Sequence, residues 1–331
     1  QKNNAMDFEK LKSSIFNIAT FNEFNTVALQ IYYFQYQHNA LYRKFVDLLP
    51  VKFKEITSCY DIPCLPVGFY KTHEICSISS PPELIFKSSG TSSGTQSRSL
   101  VFSKTLYEKS ILKSFSSFWG NPEDYTILAL VPDYKTAQDS SLAFMLDFLI
   151  RKSGHRQSGF YMNNYDELKK ILFDGSDRKK ILFGITYALM DFATKHSSGL
   201  KNTIIIETGG MKGRRKEITR EELHDFLRNK LGISRIYSEY SMCELMSQAY
   251  SSGESYYTPP PWMKVFIREL NDPLTTVRNE KSGGINIIDL ANMHTCSFVS
   301  TQDIGIVLEN GTFDVLGRFD YSDVRGCSLL G

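Results

Sequence analysis

The sequence lacks the residue patterns that mark several common classes of protein. It has six cysteines and six histidines among 331 residues, but no Cys-x-x-Cys pair and no His-x-x-x-His pair. These absences argue against a zinc site, and the scattered cysteines do not form the framework of a small disulfide-rich domain. We therefore predict free thiols in a reducing compartment, which means a cytoplasmic location.

Long apolar runs and a strong excess of one charge are also missing. No stretch of about 18 uninterrupted apolar residues occurs, so no membrane span is expected. The first residues lack the basic region and apolar run of a signal peptide. The net charge of +2 does not predict nucleic-acid binding, which needs a concentrated basic face. What the chain does have is 42% hydrophobic residues, enough for a large core.

Alternating apolar segments predict an α/β fold with mixed, largely parallel sheets flanked by helices. Buried strands are predicted at residues 125–131, 181–185 and 202–208, and helices at 103–118, 140–150 and 186–196. Residues 7–60 have helical periodicity, with one apolar stripe predicted from Leu41, Phe45 and Leu48.

Two features divide the second half of the chain. Thr219 and Glu222 form a capping box that starts a helix, and Gly232 ends it. From residue 258 the segments become strand-like, and Asn310-Gly311 predicts a hairpin turn. We therefore predict an α/β core with a helical beginning over residues 6–257, and a smaller β-rich subdomain with a short tail over residues 258–331.

The most unusual stretch is SSGTSSGT at residues 88–95, which lies between two apolar segments. A flexible linker is one interpretation. A nucleophile elbow with Ser92 is a second, although a helix should follow an elbow and the next segment is strand-like. The glycines are too close together for a Walker A loop, and no lysine follows them. A loop whose small residues bind phosphate through backbone N–H groups, with Arg98 nearby, is chemically sensible.

Four segments resemble motifs of the adenylate-forming superfamily, which includes acyl-CoA synthetases and phenylacetate-CoA ligases. The loop at 88–95 resembles its phosphate loop, and YSMCE at 240–244 resembles its Y-G-x-T-E motif. TQDIG at 301–305 resembles T-G-D-x-G, and GRFD at 317–320 resembles G-R-x-D. A closer resemblance, to the acyl-protein synthetase (LuxE-type) branch, is carried by residues 207–227, 238–251 and 325–330.

The resemblance implies ATP and Mg²⁺ as cofactors and a carboxylic acid, fatty in that branch, as substrate. Glu244 is then the magnesium ligand and Asp303 binds the ribose hydroxyls. Arg318 reaches the ribose or the α-phosphate, and Tyr240 stacks on adenine. The phosphates would be held by Ser88, Ser89, Gly90, Thr91, Ser92, Ser93, Gly94 and Thr95, and the adenine or acyl group approached by Gly209 and Gly210.

In the LuxE-type branch the acid becomes acyl-AMP, and the acyl group passes through a cysteine near the C-terminus to an acyl reductase partner. Cys327, in RGCSLL, matches that cysteine, so Cys327, Arg318 and Glu244 are the predicted catalytic residues. The chain stops at Gly331, without the mobile C-terminal domain of ordinary acyl-CoA synthetases, and this favours the LuxE-type branch.

Several positions depart from the superfamily's motifs. Ser92-Ser93, Gln302 and Cys243 stand where other residues are usual, and Arg98 stands in place of a nearer lysine. Two other functions therefore stay open: a phenylacetate-type acyl-CoA ligase relative, and a degenerate nucleotide-binding subunit of a reductase complex.

Overall fold

The computed structural model describes residues 8–50, 55–88, 95–196, 199–209, 218–253, 255–277 and 280–319. In this part of the chain, the α-helices are α1 (Phe8–Ile15), α2 (Phe21–His38), α3 (Ala40–Asp47), α4 (Lys104–Trp119), α5 (Ser141–Ser153), α6 (Tyr165–Leu172), α7 (Thr186–Lys195) and α8 (Arg220–Leu231). None of these described helices combines the length and apolar character needed to cross a membrane.

Polar caps fix where several helices begin and end. The hydroxyl of Thr219 accepts a hydrogen bond from the N–H of Glu222, whose carboxylate accepts one from the N–H of Thr219, so the predicted capping box is confirmed. Gly232 ends α8 in the left-handed conformation at φ +65°, as predicted. An unpredicted second capping box, Thr20 with Glu23, starts α2.

The described strands are β1 (Leu65–Pro66), β2 (Leu84–Lys87), β3 (Arg98–Val101), β4 (Tyr125–Leu130), β5 (Gly159–Phe160), β6 (Lys179–Gly184), β7 (Thr203–Glu207), β8 (Tyr237–Tyr240), β9 (Ala249–Ser251), β10 (Tyr257–Thr258), β11 (Met263–Arg268), β12 (Thr276–Val277), β13 (Gly283–Asp289), β14 (Phe298–Val307) and β15 (Phe313–Arg318). One mixed sheet has the order β12-β11-β13-β14-β15-β10-β9-β8-β7-β6-β4-β5, with β1 paired to β14.

The sheet is parallel from β5 to β8 and antiparallel from β8 through β12. The mixed α/β class and the predicted strands are thus confirmed. Strand β10 pairs with both β9 and β15, so strands from both sides of residue 257 share one sheet. The division at 257/258 stays a prediction.

Helices cover both faces of the parallel part of the sheet. Neighbouring residues of a strand point to opposite faces. Tyr237 of β8 contacts Trp119 of α4, whereas Ser238 contacts His224 of α8. Helices α4 and α8 therefore lie on opposite faces, and the carboxyl ends of β6, β7 and β8 meet at one edge between them.

One prediction about the N-terminal helices is wrong. Tyr42 and Val46 form the buried face of α3, while Leu41 and Phe45 are only partly buried and Leu48 is 78% exposed. The helix ends at Asp47, so Leu48 is its C-cap and leaves the expected stripe. Three aromatic residues of α2, Phe24, Tyr32 and Phe34, are buried in the core, and Tyr32 meets Phe298 edge to face.

Candidate active site

The predicted phosphate loop joins two antiparallel strands. Strands β2 and β3 pair from Leu84 with Val101 to Lys87 with Arg98. Just beyond them, the N–H of Ser88 donates to the carbonyl of Ser97 at 3.0 Å, and the N–H of Ser97 donates to the Ser88 hydroxyl at 2.9 Å. The loop is therefore the connection of a hairpin, and a strand follows it instead of the helix that a nucleophile elbow requires.

The hairpin is tied to the carboxyl edge of the sheet. The N–H of Lys87 donates to the carbonyl of Asp139, in the segment between β4 and α5, and its ammonium pairs with the Asp139 carboxylate at 3.3 Å. Arg98 pairs with Glu74 at 3.1 Å. Thr95 is exposed. Predicted residues Ser89 to Gly94 lie outside the described residues, as do Gly210 and Cys327.

Three predicted site residues from distant parts of the sequence are joined by side-chain hydrogen bonds. The hydroxyl of Tyr240 donates to Asp303 Oδ2 at 2.7 Å, and Arg318 Nε donates to Asp303 Oδ1 at 2.9 Å. Asp303 and Arg318 are register partners on β14 and β15. The Asp303 side chain is 8% exposed, but that of Arg318 is 67% exposed. A guanidinium fixed at one nitrogen and open at the others can still bind an anion.

The ring of Tyr240 packs against two other aromatic rings. Its centroid lies 5.7 Å from that of Tyr257 and 5.3 Å from that of Phe313. Burial, followed by the Asp303 carboxylate, raises the pKa of the Tyr240 phenol well above its usual value. The hydroxyl therefore stays protonated and donates to Asp303. Stacking of Tyr240 on adenine stays a prediction.

Glu244 follows β8 in a buried segment and is itself only 5% exposed. Its neighbour Cys243 has a raised pKa, because burial and the Glu244 carboxylate both disfavour the thiolate. Among the described residues, no group of three His, Cys, Asp or Glu side chains forms a metal cluster. Magnesium bound with a nucleotide takes one or two carboxylates plus phosphate oxygens and waters, and Glu244 can be one such ligand.

Gly209 forms the turn after β7, beside the end of β8. Its φ of +71° favours glycine, and its N–H donates to Glu207 Oε2 at 2.7 Å. Its carbonyl accepts from the N–H of Thr186 at 3.3 Å, which links this turn to the start of α7. Gly209 and Tyr240 thus lie at the carboxyl edge where open α/β sheets bind ligands.

The motifs did not predict Asp289 and Asn292, two buried side chains that bind the backbone of the Glu244 segment. Asp289 ends β13 and Asn292 lies in the short turn that follows. Their spacing from Glu244 matches no local pattern, and only the folded arrangement brings the three together.

The fold is that of adenylate-forming ligases. An open conformation of 2-hydroxyisobutyryl-CoA ligase, with 2-HIB-AMP and CoA bound, gives a TM-score of 0.63 at 10% identity over 91% of this chain and 76% of that one. ATP-bound MatB from Rhodopseudomonas palustris gives 0.53 at 14% identity over 73% of this chain and 50% of that one. The amide bond synthetase McbA from Marinactinospora thermotolerans gives 0.50 at 15% identity over 71% and 48%.

The chain thus matches about half the length of MatB and McbA. No curated protein matched it significantly in sequence. The sequence profile of the family described as "Acyl-protein synthetase, LuxE" matches residues 12–330. The chain belongs to that family.

Proposed function

We propose that the protein activates a carboxylic acid with ATP, forming acyl-AMP and pyrophosphate. The contact of Tyr240 and Arg318 with one Asp303 carboxylate carries the proposal. It joins three superfamily motifs at the edge of the sheet where Gly209 also lies. In the MatB structure that resembles this fold, ATP is bound.

Each of these residues has a defined task in the proposal. The two oxygens of Asp303 have lone pairs left to accept the ribose hydroxyls. The acid carboxylate attacks the α-phosphorus, its oxygen forms the new bond, and pyrophosphate leaves. Negative charge builds on phosphoryl oxygens during this step, and the exposed nitrogens of Arg318 can stabilise it there. Loop residues 88–95 hold the outgoing phosphates.

Glu244 would hold the magnesium ion. The ion would supply positive charge against the phosphates when bound. A buried carboxylate without an arginine or lysine ion pair among the described contacts suits that role, since a cation would compensate its charge.

The second half of the proposal is transfer of the acyl group to Cys327 and then to an acyl reductase partner. Transfer needs a thiolate that can reach acyl-AMP. Burial raises the pKa of Cys59 to about 11 and of Cys296 to about 12, and it also raises those of Cys64 and Cys243. These four thiols are poor acceptors at neutral pH.

A fatty acid is the proposed substrate and the cytoplasm the proposed location. The location is supported by the described cysteines, which are unpaired as expected in a reducing compartment.

Incubation with ATP, Mg²⁺ and a radiolabelled fatty acid tests the proposal. We expect pyrophosphate release and a hydroxylamine-sensitive label on the protein. Cys327→Ala should lose the label but keep pyrophosphate release, whereas the matched variant Cys76→Ala should keep both. Label found only on added coenzyme A would identify an acyl-CoA ligase. Absence of pyrophosphate release with fatty and aromatic acids would indicate a nucleotide-binding subunit and overturn the proposal.

A further inference from the structure

The segment that carries Glu244 is held by a buried polar network that the motifs do not include. Residues 241–248 connect β8 to β9 and form no strand themselves. Such a connection has no regular ladder to fix its backbone, so side chains must satisfy its polar groups. Asn292 does so at Glu244, and Asp289 does so two and three residues later.

Asp289 binds the two residues that follow Leu245. It accepts hydrogen bonds from the N–H of Met246 at 2.8 Å, from the N–H of Ser247 at 2.9 Å and from the Ser247 hydroxyl at 2.7 Å. It also accepts from the N–H of Ala291 at 3.2 Å, which caps its own turn. Asp289 is fully buried. A carboxylate that accepts four such bonds fixes the direction of the chain at residues 246 and 247.

Asn292 binds Glu244 itself. Its Nδ2 donates to the carbonyl of Glu244 at 2.7 Å and to the carbonyl of Cys296 at 3.0 Å. Its Oδ1 accepts from the Thr295 hydroxyl, so the orientation of the amide is fixed from both ends.

The turn that carries both residues is anchored in its own right. Gln35 of α2 donates through Nε2 to the carbonyls of Asn292 at 3.2 Å and Met293 at 3.0 Å. On the other side, Ser247 accepts from Trp262 Nε1 at 2.8 Å. The Glu244 segment is therefore connected to helix α2 and to the start of β11 through groups that are all buried.

We propose that Asn292 and Asp289 are positioning residues that orient Glu244 toward the divalent cation bound with ATP; this rests on the function proposed above. Neither side chain needs to touch the ligand. Asn292 fixes the position of the Glu244 carbonyl group, and Asp289 fixes the backbone of Met246 and Ser247 just beyond it. The Glu244 carboxylate can then meet a cation without first paying the entropy of ordering its backbone.

The competing explanation is that the network only stabilises the fold. It is addressed by Asn292→Leu, which removes both donated hydrogen bonds while keeping the branching of the side chain, and by Asp289→Asn, which turns one acceptor into a donor. Asp174→Asn is the matched control, since it weakens the contact with buried Lys180 at 2.9 Å, at the opposite end of the parallel strands. Ser247→Ala is a milder variant that removes only the hydroxyl bonds and serves if the stronger ones fail to fold.

Two measurements on the full chain separate these explanations. Amide hydrogen exchange of residues 242–250 reports whether the segment is held. Calorimetric titration with ATP, in Mg²⁺ and again in EDTA, reports how much of the affinity depends on the cation. We expect Asn292→Leu and Asp289→Asn to lose protection at residues 246 and 247. We also expect them to lose about 10- to 100-fold of the magnesium-dependent affinity, as is usual when groups supporting a metal ligand are removed. Their affinity in EDTA should not change.

Unchanged exchange at residues 246 and 247 in the folded variants would overturn the positioning role. So would a loss of thermal stability equal to that of Asp174→Asn with magnesium dependence intact. If the unaltered protein shows no magnesium-dependent ATP binding, the proposed function fails, and the exchange data still decide whether the network holds the segment.

Discussion

Tyr240 and Asp303, 63 residues apart, are joined by a hydrogen bond of 2.7 Å at the carboxyl edge of the sheet. The bond connects the last residue of β8, in the parallel part, to β14, in the antiparallel part. Arg318 reaches the same carboxylate from β15. The alignment of the predicted ribose-binding group therefore depends on the tyrosine as well as on the arginine.

Tyr240→Phe should weaken nucleotide binding while leaving the fold intact. The variant keeps the ring but leaves Asp303 without one donor, and loss of such a bond costs about 1 kcal/mol, or roughly fivefold in an equilibrium constant. We expect KM for ATP in pyrophosphate exchange to rise by about that factor, with a smaller change in kcat. Tyr257→Phe, which alters the neighbouring ring without touching Asp303, is the control. Equal KM values for the two variants would contradict the prediction.

Two glycines of the predicted motifs should respond to alanine for different physical reasons. At Gly209 the added Cβ meets nothing within 4 Å, so the cost of Gly209→Ala is the left-handed backbone alone, about 1–2 kcal/mol. At Gly305 the Cβ would lie 2.3 Å from the carbonyl oxygen of Asp314. Because that contact is with backbone, we expect Gly305→Ala to cost about 3 kcal/mol or more.

Urea unfolding of both glycine variants checks this order. Equal free energies of unfolding would show that the strand contact at Gly305 relaxes easily. The expected order also gives Gly305 a packing role between β14 and β15, although it belongs to a motif associated with nucleotide binding.

Sequence patterns predicted those parts of the fold that depend on residues close together in the chain. The capping box at Thr219 and Glu222 involves residues three apart, and the strand predicted at 125–131 is a continuous buried run that forms β4. The exposed position of Leu48 was missed because periodicity does not show that α3 ends one residue earlier. The order of strands in the mixed sheet could not be predicted in this way, because it depends on which distant strands become neighbours.

The same limit applies to the site. Motif order predicted roles for Tyr240, Asp303 and Arg318, but it did not show that two of them donate to the third. Asn292 and Asp289 were missed because they bind Glu244, Met246 and Ser247 across more than 40 residues of sequence. A buried asparagine or aspartate in such a position has no spacing rule; its role exists only in the assembled core.

His224 should make the protein less stable in mild acid. Burial, followed by Arg220 and Arg228, lowers its pKa from 6.5 to about 4, with Asp225 acting in the opposite direction. The unfolded chain therefore binds the proton between pH 6.5 and 4 while the folded chain does not, so stability falls as pH falls through that range. Its ring also faces Ser238 at 3.3 Å.

Comparison of His224→Gln with the unaltered protein isolates this contribution. The difference in their free energies of unfolding, measured in urea from pH 7 to pH 4, should shift in favour of the variant as pH falls. Glu207 Oε1, which lies 4.0 Å from the ring, is the charge most able to oppose this trend. A difference that stays constant with pH would mean that the histidine has the same pKa in the folded and unfolded chains, with Glu207 offsetting the effect of burial.

Glu239 should have the opposite pH dependence. Its side chain is buried, Oε1 has no hydrogen-bond partner among the described residues, and Tyr250 is its cross-strand neighbour. Burial raises its pKa from 4.5 to about 7, with a hydrogen bond from Ser241 lowering it and Glu207 raising it. Between these values the folded chain binds the proton and the unfolded chain does not, so stability is lost as pH rises, by about 3 kcal/mol in total.

Glu239→Gln cannot ionise, so its free energy of unfolding should lack that loss. Measured in urea, the variant's stability relative to the unaltered protein should improve from pH 4.5 to pH 7 and level off above it. Taking the difference between the two proteins removes the contribution of His224, which is common to both and changes in the opposite direction over much of the same range. A flat difference would show that the Glu239 carboxylate finds a partner when it ionises. In that case the interior between α4 and the β8–β9 pair would have to rearrange or admit water at the pH where the carboxylate ionises.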